Sequence, residues 1–285
     1  MSRSRAAFST HLLLFSLALG CSPALTSFTP AHVPKKGHVQ AEAGFDVFIP
    51  TGTLGEAIEA AEALSAVAED RELTQAEERE VFEGAGALTL NPPSATLHIG
   101  LGYSPLENFV VEGRYTIGAW RLGARYQLLH RAEHGVDLST GLGFGRYVFE
   151  FPVGSSIPII ELEDFTRYQL DLPIQLGVSG DWYRVWGGPR LLATFYSTRL
   201  ALVYPTIPGA GGNQPENVLA TLDGTGYYAG GQAGFALGYK KIFLGFELTV
   251  AQFWTNATLD AFGRHLEVDL SSLVIAPGIA LMGEF

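Results

Sequence analysis

The chain has 285 residues, 47% hydrophobic but only 16% charged, with 34 glycines, 12% aromatics and a formal net charge of −11. A soluble domain carries about 25% charged residues, so this chain is short of the charge that would cover a large water-facing surface. It has no apolar run near the roughly 20 residues of a membrane-spanning helix and no basic patch to meet a phosphate backbone. A helical membrane protein, a disordered chain and a nucleic-acid binder are therefore excluded, which leaves a β-rich fold whose outer surface need not face water.

The first twenty residues read as an address. Arg3 and Arg5 precede the apolar stretch Leu12–Gly20, and Cys21 follows. A basic start, a short apolar core and small residues at the exit describe a secretory signal peptide over residues 1–20. Cys21 is the sole cysteine, so neither an intramolecular disulfide nor a thiolate zinc site can form. Leu17-Ala18-Leu19-Gly20-Cys21 resembles the lipobox of bacterial lipoproteins, with Ala18 where that family usually has Leu. The resemblance implies acylation of Cys21 as the new N-terminus, and Ser22 in place of Asp implies the outer rather than the inner membrane. The plainer alternative is an ordinary cleavage site with an incidental cysteine. Residues 21–36, rich in Pro and Thr, then form a lipidated N-terminus and linker.

A period of two begins at Val39. Val39, Ala41, Ala43, Phe45, Val47 and Ile49 alternate with Gln40, Glu42, Gly44, Asp46 and Phe48, the pattern of a strand with one apolar and one polar face. Residues 51–93 interrupt it as an insertion. Leu54, Ile58, Ala61 and Leu64 recur at helical spacing, and Thr74-Gln75-Ala76-Glu77 is a capping box. Two short helices are expected, joined near Glu69–Leu73. Ten acids against Arg71 and Arg79 give Thr51–Leu90 a net charge of −8. Such a hairpin is either a solvated surface element or a lid over the mouth of the fold, where a basic partner or divalent cations could dock.

Alternation resumes at Ala95 and continues to the end in nine further runs. Examples are Leu97, Ile99 and Leu101 against Thr96, His98 and Gly100, and Leu170, Leu172 and Ile174 against Gln169, Asp171 and Gln175. The tenth run, Leu266–Phe285, is expected to slip by a bulge at Ser271-Ser272. Most runs reach the roughly 9–11 residues of a tilted transmembrane strand. Aromatics sit at both ends of the apolar face: Tyr103, Phe109, Tyr183, Tyr239 and Phe285 at one, Tyr115, Trp120, Phe195, Tyr227 and Trp254 at the other. The connections alternate in length, except that Gly118-Ala119 is short where a long one is due. Ser104–Asn108, His130–Gly135, Gly180-Asp181 and Lys240-Lys241 are short, whereas Thr51–Pro93, Glu150–Phe165, Arg199–Asp223 and Thr255–His265 are long.

With these features residues 37–285 resemble bacterial outer-membrane β-barrels, in which an apolar band, aromatic girdles, a polar lumen, short periplasmic turns and long outer loops go together. The resemblance implies an all-β, ten-stranded antiparallel transmembrane barrel with an α-helical hairpin in its first outer loop. It places the N-terminus in the periplasm and the long loops outside. It implies outer-membrane lipids as neighbours, and the barrel-assembly machinery as a partner of the C-terminal strand ending on Phe285.

Inward positions collect both signs of charge, which must pair in a narrow lumen. The expected network comprises Glu112, Arg114, Arg125, Asp171, Arg184, Arg190 and Glu247. Two-residue turns at Gly118-Ala119 and Gly180-Asp181 would set Glu112 opposite Arg125 and Asp171 opposite Arg190. Ten strands lie close to the eight whose side chains just fill a barrel, so any pore is narrow. No cofactor is expected: Gly141–Gly145 lies within a strand pattern, and His130 and His134 flank a turn. The role is structural or interactive, or that of a narrow pore. The alternative, implied by the proteases and lipid-modifying hydrolases of the class, is a hydrolase at the outer rim, where His265, Glu267 and Asp269 are nearest.

Overall fold

A computed structural model describes residues 25–53, 55, 90–147, 160–202, 218–261 and 264–285. They form one closed antiparallel barrel of β1 Val39–Pro50, β2 Ser94–Leu106, β3 Phe109–Thr116, β4 Ala119–Leu129, β5 Asp137–Tyr147, β6 Ile160–Ser179, β7 Tyr183–Leu202, β8 Val218–Tyr239, β9 Ile242–Ala261 and β10 Arg264–Glu284. Each strand pairs with its chain neighbours, and β10 closes onto β1. The last residue completes the closure: Val39 N donates to Phe285 O at 2.8 Å, and Phe285 N to Val39 O at 2.9 Å. A closed ladder leaves no edge for another chain to extend.

The strands form because their side chains alternate, and the alternation decides which face turns out. Leu97, Ile99 and Leu101 point outward and are 60–65% exposed, while Thr96 and His98 at the alternate positions are buried. The same holds around the wall, so the exterior carries Leu122, Leu142, Leu172, Leu191, Leu237, Leu244, Leu248 and Leu281. Outside this band stand exposed aromatics. Tyr103, Tyr239 and Phe285 lie at the end with the short turns, and Tyr115, Phe195, Tyr227 and Trp254 higher up. At the turn end Lys240 lies over the Tyr239 ring at 4.9 Å and Lys241 over Phe285 at 5.7 Å.

The expected turns differ in detail. Thr116 pairs with Ala119, so Ile117-Gly118 is the turn, and Gly118 takes the left-handed φ of +89 that a side chain resists. Ser179 pairs with Arg184, and Gly180 N donates to Tyr183 O, so Asp181-Trp182 forms the next turn. Each turn sits one residue from its expected place, which moves the register by two and keeps every side chain on its own face.

The strands on one side run further than apolar alternation indicated. β6 to β10 have 20–22 residues, and the expected long loop Thr255–His265 is mostly paired strand, with Ala261 opposite Arg264. The bulge expected at Ser271-Ser272 is absent, since β10 keeps one register against β9 from Arg264 to Gly283. What changes there is the polarity of the lumen. Leu270 and Val274 face inward because the barrel interior at that level is apolar. Of the expected helical insertion, Thr51–Thr53 and Gly55 are helical; residues 54 and 56–89 lie outside the described residues.

Candidate functional site in the lumen

The seven charged residues expected in the lumen all lie there, and glycines decide how they meet. Glu112 faces Gly123 across the β3–β4 ladder. Lacking a side chain, Gly123 lets the carboxylate settle between the arginines on either side, 3.5 Å from Arg121 Nη2 and 3.2 Å from Arg125 Nε. Arg121 lies over Gly143, where an added Cβ would come within 2.7 Å of its Nε, and so reaches Asp171 at 2.6 Å. Arg190 donates to the other oxygen of Asp171. Asp171 is opposite Leu192, and Arg190 opposite Pro173, so this pair forms diagonally rather than straight across. Arg114 meets Asp46 at 2.8 Å and Glu42 at 3.5 Å, and Asp46 also meets His98 Nδ1 at 2.9 Å. Arg184 pairs with Glu284 at 2.7 Å.

The lumen also holds the chain's own N-terminal segment. Residues 25–33, read from sequence as part of a linker outside the fold, run through the barrel and belong to no strand. Leu25, Thr26, Ser27, Phe28 and Ala31 are almost completely buried. Wall side chains grip their backbone. Arg190 Nε donates to Leu25 O at 2.9 Å, Arg114 Nη1 to Thr26 O, and Arg125 Nη1 to Pro30 O at 2.7 Å. Glu247 accepts from Ser27 N at 2.6 Å and Phe28 N at 3.0 Å, and from Trp186 Nε1 at 2.8 Å. Val33 N donates to Gln127 Oε1 at 2.8 Å, while His32 bridges Ser179 Oγ at 2.8 Å and Glu284 at 2.9 Å.

Phe28 anchors the segment. Its ring stacks on His98 at 5.3 Å and lies 5.9 Å from the Arg114 guanidinium. Wall glycines make the space: a Cβ on Gly278 would lie 2.8 Å from the ring, and one on Gly177 3.2 Å from the Ala31 methyl. Beside Phe28 a cavity of about 40 Å³, lined among others by Glu42, Glu112, Arg114, Arg121 and Arg184, has room for a few water molecules.

Above Leu25, toward the loop end, the lumen turns apolar. Leu25 and Leu90, where the insertion returns to the barrel, join a buried cluster with Phe48, Tyr196, Leu222, Tyr228, Phe253, Leu270 and Val274. Arg167 caps it, donating to Leu90 O at 3.0 Å and to the Tyr228 hydroxyl at 3.3 Å, and Tyr228 donates in turn to Asn91 Oδ1 at 2.9 Å.

Other residues singled out from sequence stand apart. His265 is opposite Asp260 in the β9–β10 ladder, Glu267 opposite Thr258 and Asp269 opposite Asn256; Glu267 is exposed. His130 precedes the single helical turn Arg131–His134. Cys21 lies outside the described residues. Sequence reasoning missed the partners of the segment: Glu247 as a holder of backbone N–H groups, Gln127 and the Phe28 site. One signal was available, since Ser22–Pro34 carries no Asp, Glu, Lys or Arg, which suits a buried segment better than a solvated linker.

No protein-family model matches the chain, and no curated protein matches it. Among solved structures it is similar to Ail, the attachment invasion locus protein of Yersinia pestis, at 11% identity and TM-score 0.28, over 88% of this chain and 99% of that one. It is also similar to an outer membrane channel from Pseudomonas putida F1 at 9% identity and TM-score 0.33, over 91% and 99%. The N-terminal β-barrel domain of Pseudomonas aeruginosa OprF matches at 7% and 0.24, over 87% and 98%. Likenesses this distant assign the chain neither a role nor a ligand.

Proposed function

We propose that this chain is an outer-membrane β-barrel whose lumen is kept shut by its own N-terminal segment. It acts as an anchor presenting its loop-end segments, the acidic insertion 51–93 among them, rather than as a standing pore. The observation that carries the reading is the pairing of two features in one closed barrel. The outside is an apolar band edged by aromatics, which water would not tolerate over so large an area. The inside is filled by a gripped segment below and by the Leu25–Leu90 cluster above. Short turns on the periplasmic side and longer connections outside are the habit of such barrels. That habit supports the turn end as periplasmic and the insertion as surface-exposed, where its −8 charge would favour a basic partner or divalent cations.

The test is extraction. The protein should sediment with the outer membrane, resist alkaline carbonate, need detergent for release, and run differently on a gel when unboiled. Recovery from the soluble periplasmic fraction without detergent would overturn the reading.

A further inference from the structure

The N-terminal segment is held as a ligand is held, not as a strand of the wall. Its backbone is bonded by wall side chains: Arg190, Arg114 and Arg125 on the carbonyls of Leu25, Thr26 and Pro30, and Glu247 and Gln127 on the amides of Ser27, Phe28 and Val33. All of these act on groups that every peptide carries. Side-chain selectivity comes from Thr26, Ser27, Phe28 and His32, whose ring bridges Ser179 Oγ and Glu284. The Phe28 ring enters the space left by Gly278 and faced by His98, and the Thr26 hydroxyl donates to Asp46. Guanidinium donors on its carbonyls and carboxylate and amide acceptors on its N–H groups, with one aromatic slot, constitute a peptide-binding channel.

Two further features bear on exchange. Phe28 has φ +48, a left-handed conformation that a bulky residue keeps only where its surroundings impose it. The N–H groups of Ser27 and Phe28, immediately before that bend, both donate to the single Glu247 carboxylate. The segment joins β1 only through the short stretch containing the exposed Lys35, Lys36 and Gly37. When it leaves, Arg190, Arg114, Arg125 and Glu247 exchange peptide groups for water and keep much of their solvation, which an apolar channel could not offer.

We propose that the lumen is a binding site for a peptide with a buried aromatic behind two hydroxyl residues, that residues 25–33 are its resident intramolecular ligand, and that a separate peptide of the same pattern replaces them. The proposal builds on the sealed-lumen reading. A site-specific protease sequence inserted between Lys36 and Gly37 of the otherwise full chain allows the barrel to fold with its segment in place and then be nicked. Unchanged mobility of the unboiled barrel on a gel confirms that the nicked form is intact. A fluorescent peptide of residues 25–36 is then added. The nicked segment should copurify until the labelled peptide displaces it saturably. A Phe28→Ala peptide should compete at least about thirtyfold less well, as loss of a buried aromatic anchor implies, and a scrambled peptide should not compete. A nicked segment that never exchanges, an emptied barrel that takes up no label, or equal binding of the scrambled peptide would each overturn the proposal. If the full chain conducts ions yet the nicked barrel binds the peptide, the seal fails and the site stands.

Discussion

Asp171 shows how much energy one lumen residue can govern. It is fully enclosed and takes Arg121 and Arg190 on its two oxygens, so removing it leaves buried Arg190 without a carboxylate and Arg121 with only Glu112 at 3.5 Å. Asp171→Ala should cost about 3–5 kcal/mol, the scale for breaking a buried pair, against roughly 0–1 kcal/mol for an exposed one. Adding Arg190→Ala should recover only part, because Arg121 keeps only its longer contact to Glu112. Denaturant unfolding in lipid vesicles, scored by mobility of the unboiled protein, measures the cycle; strictly additive losses would contradict the pairing. Glu247 is a different case, an acid whose oxygens hold two backbone amides and an indole N–H. Glu247→Leu should leave each donor unsatisfied at about 1–3 kcal/mol, and hydrogen exchange at the Ser27 and Phe28 amides should accelerate more than about tenfold. The sequence placed these residues on the correct face, because parity is local. It could not place Glu247 against a segment some 220 positions away in the chain, since nothing periodic links them.

At the scale of elements, the strands were legible where a face meets an apolar surround and illegible where it does not. Leu97, Ile99 and Leu101 announce β2. The upper part of β9, Thr255–Ala261, carries polar or small residues on both faces except at Leu259, and reads as loop until the ladder is seen. The turns were misplaced by one residue for a similar reason. Gly118 serves as the second turn position with positive φ, not the first, and Gly180 pairs with Tyr183 rather than turning. Glu112 and Asp171 nevertheless met arginines, since a shift of two preserves facing and long side chains reach diagonally. The N-terminal segment was mistaken for a linker because short uncharged stretches carry no period.

For the whole molecule, the same closed wall separates two environments, and substitutions should report which side they face. Ile99 is outward and exposed in the apolar band. Ile99→Arg should destabilise the inserted barrel by roughly 2–4 kcal/mol, the depth-dependent cost of a cation on a lipid face. Ile99→Leu should be near neutral, and reversible unfolding from vesicles distinguishes them. The central claim, that the N-terminal segment closes the lumen, is tested most directly by single-channel recording in planar bilayers. The measurement compares the full chain with a variant lacking residues 25–36, each shown to be inserted and heat-modifiable. The full chain should be silent and the shortened barrel should conduct, with a small unitary step set by the remaining arginines and acids. Steady conductance of the full chain, at the same unitary level as the shortened one, would contradict the account.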